Sequence, residues 1–349
     1  MDLAARPLSP YREEHATAGS EGEGVEGAAF GARVLIGHQT AQAAFLEGWQ
    51  ADRLHHAWLL AGPEGVGKRA FADAAARMVL AGAQDYAGGE RGAGAALIAA
   101  GSHPDLKILE RGARDDGRVK AEIVIEQVRA LAPLFQSTSG MGGWRVVIID
   151  PVDALNRAAA NALLKSLEEP PADTLFLLVS HAPGRLLPTI RSRARRLRFA
   201  PLDEADTRAV IAAHAPEADD KELETLVRVA EGLPGRALRY AGLGVDKLAA
   251  ELDALAAATP AEARGRGLAL ARALAGRAAQ ARYEAFLDLA PRRLAAAARR
   301  STGPRLARTI VLWEEAQGLA ASAPGLSLDP AAVVAELAGL VAGIDREQP

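Results

Sequence analysis

No cysteine occurs in the 349 residues. Its absence excludes disulfides, thiolate nucleophiles and Cys-ligated zinc at once. Histidine is sparse as well: seven are scattered along the chain, and none falls in the H-E-x-x-H spacing that holds zinc from one helix face. Lysine supplies only six of the 41 basic residues; this Arg bias, like the Ala richness, is a matter of composition and carries no function. No apolar run reaches the ~18 residues that cross a bilayer. The N-terminus lacks the charged-then-apolar layout of a secretory signal, so a cytoplasmic protein without a membrane partner is expected. Positive charge is not in surplus: the formal net charge of −3 argues against a globally basic nucleic-acid binder and leaves local basic patches open.

What is present suits a chain with sizeable cores, at 49% hydrophobic and 24% charged residues, and the length suggests two or three domains. Residues 1–30 are polar, Gly/Glu-rich and aperiodic, which predicts a flexible tail. From Val34 the texture changes. HQTAQAAFLEGWQADR has helical apolar spacing at Ala41, Phe45 and Trp49. The apolar run Ala57–Ala61 predicts a buried strand, and a helix follows from Arg69 to Leu80. DLKILE alternates as a strand, and EIVIEQVRALAPLFQ reads as a strand end running into a helix. WRVVIID and TLFLLVS are strands buried on both faces. Asn156 is placed to cap the helix RAAANALLKSLEE, which Pro170–Pro171 stops. A short helix at Leu186–Ser192 leads into RRLRF, a last strand. Strands alternating with helices predict a parallel α/β sheet over residues 31–200. After Pro201 the pattern is purely helical, with a compact three-helix set over 201–244 and a further all-α domain over 245–349.

GPEGVGKRA, between the first strand and its helix, is nearly the phosphate-binding loop G-x-x-x-x-G-K-[ST]. Gly62, Gly65 and Gly67 let backbone N–H groups turn toward a phosphate, and Lys68 would reach the β- and γ-phosphates. The last position fails. Arg69 stands where a hydroxyl holds Mg²⁺, and a guanidinium is a cation with donors only. Asp150 ends WRVVIID where a P-loop enzyme keeps its Mg²⁺-organising acid; a strand-end carboxylate capping a loop is the alternative reading. Pro151 follows, where many such ATPases carry a water-polarising Glu, and Asp153 differs in reach and direction. Without the metal hydroxyl and that Glu, hydrolysis by this chain alone is not expected. TIRSRARRLRF packs Arg191, Arg193, Arg195, Arg196 and Arg198 into eight residues. They read either as a solvated basic edge or, for Arg193 beside Ser192 at a helix end, as an arginine reaching a neighbour's active site.

The stretch from RVVIIDPVDALNRAAANALLKSLEEPPADTLFLLVS to RLLPTIRSRARRLRF resembles the clamp-loader branch of the AAA+ ATPases, as do IGHQTAQAAFLEGWQADRLHHAWLLAGPEGVGKR and AGSHPDLKILE. The resemblance spans about residues 34–240. It implies a P-loop (AAA+) domain, a small helical lid over 201–244 and an all-α collar over 245–349. It places Gly62, Gly67 and Lys68 on the phosphate loop, Asp150 on the second acidic motif, Ser180 on the first sensor and Arg236 near the second. Ser192-Arg193-Ala194 falls on the family's Ser-Arg-Cys motif, whose Arg completes the ATP site of an adjacent subunit; here Ala194 replaces the Cys. Many relatives carry a four-Cys zinc module that this chain lacks, so zinc is not expected. Arg69 and Pro151 depart from the ATPase-competent gamma/tau subunits. The implied role is a non-hydrolysing subunit of the DNA polymerase III holoenzyme, needing no cofactor of its own, with ATP and Mg²⁺ at neighbouring subunits. The implied partners are gamma/tau, delta and, indirectly, the sliding clamp and primed DNA. A gamma/tau-like ATPase and a DNA-binding adaptor using the 191–198 arginines are the rival readings. Collar helices are expected to assemble through apolar faces such as Leu306, Ile310, Leu312 and Trp313.

Overall fold

The computed structural model describes residues 35–87, 93–112, 119–136, 139–141, 143–326 and 328–344; the tail predicted over 1–30 lies outside them. Five strands form one sheet: β1 (Ala57–Ala61), β2 (Leu106–Glu110), β3 (Arg145–Asp150), β4 (Thr174–Ser180) and β5 (Arg195–Arg198). Their order is β2-β3-β4-β1-β5, and every neighbouring pair is parallel. The helices between them, α1 (Gln39–Gln50), α2 (Lys68–Leu80), α3 (Ala93–Ala99), α4 (Ile125–Arg129), α5 (Ala132–Gln136), α6 (Arg157–Glu168) and α7 (Pro188–Arg193), cover both faces. This is why β4 is apolar along its whole length: all seven residues are buried. One face carries a core of Phe45, Trp58, Phe71 and Met78 under α1 and α2. The other carries Ile149, Leu163, Phe176 and Ile190 under α6 and α7. Burying each such side chain contributes roughly 1.5–3 kcal/mol.

Local signals set the element ends. The Asn156 side chain accepts from the Ala159 N–H at 2.9 Å and starts α6. Pro188 opens α7 at a position where its missing N–H costs nothing. One expectation is corrected. EIVIEQ holds no strand: Ile123 makes a single bridge to Leu155, and two short helices follow with a break at Ala130. The Gln127 side chain accepts from the Val124 N–H at 3.0 Å, so this segment turns into a helix before a ladder can form.

Beyond the sheet lie α8 (Glu204–His214), α9 (Asp220–Ala230), α10 (Pro234–Leu238), α11 (Val245–Ala256), α12 (Pro260–Leu274), α13 (Gln280–Arg299), α14 (Gly303–Leu326) and α15 (Pro330–Val341). Asp203, Asp219, Thr259 and Asp329 each cap a helix N-terminus through a side-chain oxygen. A continuous core runs from Ile211 and Leu226 through Leu248 and Phe286 to Leu337 and Ile344, joining the three-helix set to the later helices. The α14 stripe divides: Leu312 and Trp313 pack on this core, whereas Ile310 stays exposed beside Val311. The reason is that α14 lies against α13 and α15 along that face. No helix among the described residues is long and apolar enough to cross a membrane.

Candidate functional site: a phosphate loop closed by an arginine

The loop between β1 and α2 is held from two sides. A Cβ on Gly62 would lie 2.2 Å from the Phe199 carbonyl oxygen, so only glycine lets the loop pass the end of β5. Gly65 has φ +78°, and a Cβ there would meet the Arg236 backbone nitrogen at 2.7 Å. The Gly235 N–H donates to the Gly65 carbonyl at 2.8 Å, fixing the loop to α10. Gly67 caps α2 at φ +102°. The strand, the loop and the helix predicted for phosphate binding are therefore all present.

What fills the loop differs from a working nucleotide site. Lys68 is buried, and its Nζ donates to the Gly62 carbonyl at 2.9 Å and to that of Pro63 at 2.6 Å. Arg69 is 8% exposed and turns inward. Its Nε donates to Asp73 at 2.9 Å, and its Nη1 reaches Asp150 at 3.3 Å and Glu110 more closely. Three structural facts bring these carboxylates together. Asp73 is one helical turn beyond Arg69. Asp150 and Glu110 end neighbouring strands, and the β2–β3 register sets them side by side. A guanidinium thus occupies the place at Asp150 where a metal-dependent ATPase holds Mg²⁺. It offers donors only and leaves no hydroxyl for a metal. The residues present do not fit Mg²⁺–nucleotide.

The electrostatics follow from burial. Burial works against the Arg69 charge, but the Asp73 and Glu110 carboxylates outweigh it and raise its pKa. Two guanidiniums, Arg69 and the buried Arg77 two turns further along α2, serve three carboxylates, with Arg77 acting on Asp73. The surplus falls on the most enclosed acid: burial pushes Asp73 up to about 6, despite Arg69. Burial also raises Asp150. For an acid whose folded pKa lies above its unfolded value, the folded state binds protons more tightly. Stability from this group is therefore fully present below about 3.8 and lost as pH rises through about 6. Asp73→Asn removes that slope. Its stability relative to wild type is expected to increase by about 2 kcal/mol between about pH 4 and pH 7, read by urea denaturation. A gap that does not change with pH would refute the assignment.

The other sequence-predicted positions have their own partners. Ser180 is fully buried beside the loop, and its hydroxyl donates to Asp153 at 2.7 Å. The Asp153 carboxylate also accepts from the His181 and Ala182 N–H groups, so it caps the end of β4. Arg236 is half-buried; burial and the nearby Arg292 lower its pKa, and Asp288 and Tyr240 are its other main charge neighbours. Its electrostatic surroundings are thus on the helical side rather than at Asp150. Arg193 ends α7 on the surface. Its Nη1 donates to the Thr189 carbonyl at 3.0 Å and its Nη2 pairs with Glu168 at 2.8 Å. The Ser192 hydroxyl donates to Thr189 as well. Arg195 stacks over Trp58 at 4.9 Å, and Arg196 and Arg198 line the exposed edge strand, where charge discourages pairing with another sheet.

Sequence reasoning missed Glu110, Asp73, Glu168 and two histidines. His38 reaches the Val66 carbonyl at 2.8 Å and packs edge-on against Phe199, 4.7 Å between centroids. Burial lowers its pKa, and burial and Lys68 lower that of His181. Only Asp73 had a visible signal, its i+4 spacing from Arg69.

Residues 37–203, which carry this loop and Arg193, match the family described as DNA polymerase III, delta subunit. The chain is 42% identical to the DNA polymerase III subunit delta' of Pseudomonas aeruginosa over 200 residues, 56% of this chain and 59% of that protein. It is 36% identical to the delta' subunit of Escherichia coli over 193 residues, 54% and 55% of the two chains. It is 31% identical to the E. coli tau subunit over 213 residues, 57% of this chain and 30% of tau. The chain thus matches less than two thirds of the length of either delta' relative. Residues 37–203 are thus similar to the DNA polymerase III delta-subunit family, and the same part of the chain is similar to delta' subunits.

Proposed function

We propose that this chain is the delta'-type subunit of a clamp loader, one that hydrolyses no ATP itself and presents Arg193 to the ATP site of a neighbouring subunit. The observation that carries the reading is the Arg69 guanidinium paired with Asp150 and Glu110, which closes the metal position of the chain's own loop. Arg193, by contrast, sits at a helix end with its side chain 34% exposed. In this reading the sheet over 31–200 is the AAA+ domain, 201–244 the lid and 245–349 the collar that holds the assembly together. The neighbours are gamma/tau-type ATPases and a delta subunit, and ATP and Mg²⁺ are bound by the ATPases. The assembly places a ring-shaped clamp on primed DNA in the cytoplasm. This chain needs neither cofactor nor zinc, and its DNA contacts are to phosphates rather than bases.

The delta' names of the relatives support this reading over a gamma/tau-like motor. Lys68→Met separates the two. In an assembly reconstituted with gamma/tau and delta, DNA-stimulated ATP turnover and clamp loading are expected to be unchanged, since Lys68 donates to carbonyls of its own loop. Turnover falling to the level of the assembly without this chain would overturn the silent role. The adaptor reading predicts strongly salt-dependent DNA binding by the lone chain. The stacking of Arg195 on Trp58 supports the edge-strand role of that cluster instead.

A further inference from the structure

A groove of about 390 Å³ lies between α9, α11 and α13, away from the phosphate loop. Its floor is apolar, made by the buried Ala249, Leu252 and Leu289. Its rim is basic: five arginines against two carboxylates, a surplus of three positive charges. The ion pairs consume only part of that surplus: Asp288, outside the groove, accepts from Arg292 Nε at 2.8 Å and Nη2 at 3.0 Å, which leaves two positive charges. Glu231 is gripped by Arg292 and Arg299 together, and Asp253 accepts from Arg293 Nε at 2.7 Å. Arg293 Nη1 is left buried without a hydrogen-bond partner. Among the described residues, Arg228 and Arg300 have no ion pair either. Glu231 holds its place at φ +49°, a conformation a non-glycine residue adopts at a cost. The following Gly232 is locked against Leu202, whose carbonyl oxygen would lie 2.6 Å from an added Cβ. The groove is therefore a fixed feature of the helical core.

The chemistry selects the ligand. Guanidiniums with spare donors match phosphate oxygens in bidentate fashion. Their planes, and the apolar floor, suit a base ring. The volume is in the range of small-molecule sites, about 300–1,000 Å³. A neutral ligand gives no use to two surplus charges, and a metal ion is repelled by them. We propose that this groove binds a nucleotide, its phosphate held by Arg228, Arg300 and Arg293 and its base laid on Leu252 and Leu289. The nucleotide is either free or one unit of a single DNA strand, since both present the same phosphate and ring.

The test uses the full chain and two probes, N-methylanthraniloyl-ATP without magnesium and fluorescein-labelled dT12, each followed by fluorescence anisotropy. Arg228→Gln/Arg300→Gln keeps the side-chain stems and removes the free charges. At least one probe is expected to bind, with affinity falling ~10-fold or more in the double variant and unchanged in Lys68→Met. Binding of the ATP probe identifies a free nucleotide as the ligand, and binding of dT12 alone identifies a DNA strand. The proposal is overturned if neither probe binds at about 1 mM, if the double variant binds as wild type does, or if Lys68→Met abolishes binding. Equal displacement of both probes by polyglutamate also overturns it, marking a surface for acidic protein. Circular dichroism confirms that the variant, altered at exposed positions, is folded. None of these results depends on whether the chain hydrolyses ATP.

Discussion

Arg69→Ala is expected to destabilise the protein by about 3–5 kcal/mol at neutral pH, the usual result of removing one partner from a buried ion cluster. The substitution leaves Asp73, Glu110 and Asp150 facing one another, with only Arg77 nearby, in a site where Asp73 and Asp150 are already pushed toward the neutral form. Without Arg69 the carboxylates take up protons at higher pH than in wild type, so the loss shrinks as pH falls toward about 6. Arg69→Lys keeps the charge but not the fork that reaches three acids at once, and falls between wild type and Arg69→Ala. Arg69→Thr adds a second readout. It restores the loop's hydroxyl beside Glu110 and Asp150, and its melting temperature is expected to rise with millimolar Mg²⁺, whereas that of wild type does not. Urea denaturation checks the first set and a thermal melt with and without Mg²⁺ the last. An Arg69→Ala variant within about 1 kcal/mol of wild type would falsify the view that Arg69 neutralises the site.

These outcomes bear on why the loop persists. A metal ion comes and goes with its nucleotide, whereas a guanidinium on the α2 backbone is permanent. The loop is held by Lys68 on its carbonyls, by Gly235 on Gly65 and by Phe199 against Gly62. The fold element that binds phosphate in a motor acts here as a fixed corner joining the sheet to α10. At its base stands an internal ion cluster of Arg69 with Asp73, Glu110 and Asp150.

The sheet was legible because its signals are local and mutually consistent. β1 follows from AWLLA ahead of a glycine loop, β4 from TLFLLVS, and α6 from Asn156 and Pro170–Pro171 at its ends. The EIVIEQ segment was misread because a run of β-branched residues outweighed Gln127, whose side chain folds back onto the backbone. At the site, the sequence revealed which residue was wrong but not what it did. Arg69 was visible as a misfit to the motif. That it fills the metal position depends on Glu110 standing beside Asp150, which is a fact of β2–β3 register and not of spacing along the chain. Glu168 was missed for the same reason: 25 residues separate it from Arg193, and only the packing of α6 on α7 brings them within 2.8 Å. The Arg228–Arg300 groove was illegible because arginine is common throughout this chain, and only the fold shows which arginines converge.

Arg193→Ala is expected to lower turnover at the neighbouring ATP site by about 10³-fold or more, measured in an assembly where that neighbour is the sole competent ATPase. The loss should appear in kcat, since the guanidinium meets charge that develops during phosphoryl transfer. Arg193→Lys recovers little of it, because an ammonium lacks the planar fork. In the free subunit the same guanidinium is engaged by Glu168, with the two side chains 34% and 47% exposed. A pair this exposed to solvent is worth roughly 0–1 kcal/mol. A catalytic contribution of 10³ corresponds to about 4 kcal/mol. In the proposed trans role, releasing Glu168 costs little beside the stabilisation gained in the transition state, so Glu168 orients the side chain without trapping it. Glu168→Gln is accordingly expected to leave kcat close to wild type and to change KM by no more than about fivefold. A kcat loss in Glu168→Gln as deep as in Arg193→Ala would instead make the carboxylate an essential guide for the arginine. Unchanged kcat in Arg193→Ala would remove the trans role, leaving Arg193 a surface residue that ties α7 to α6.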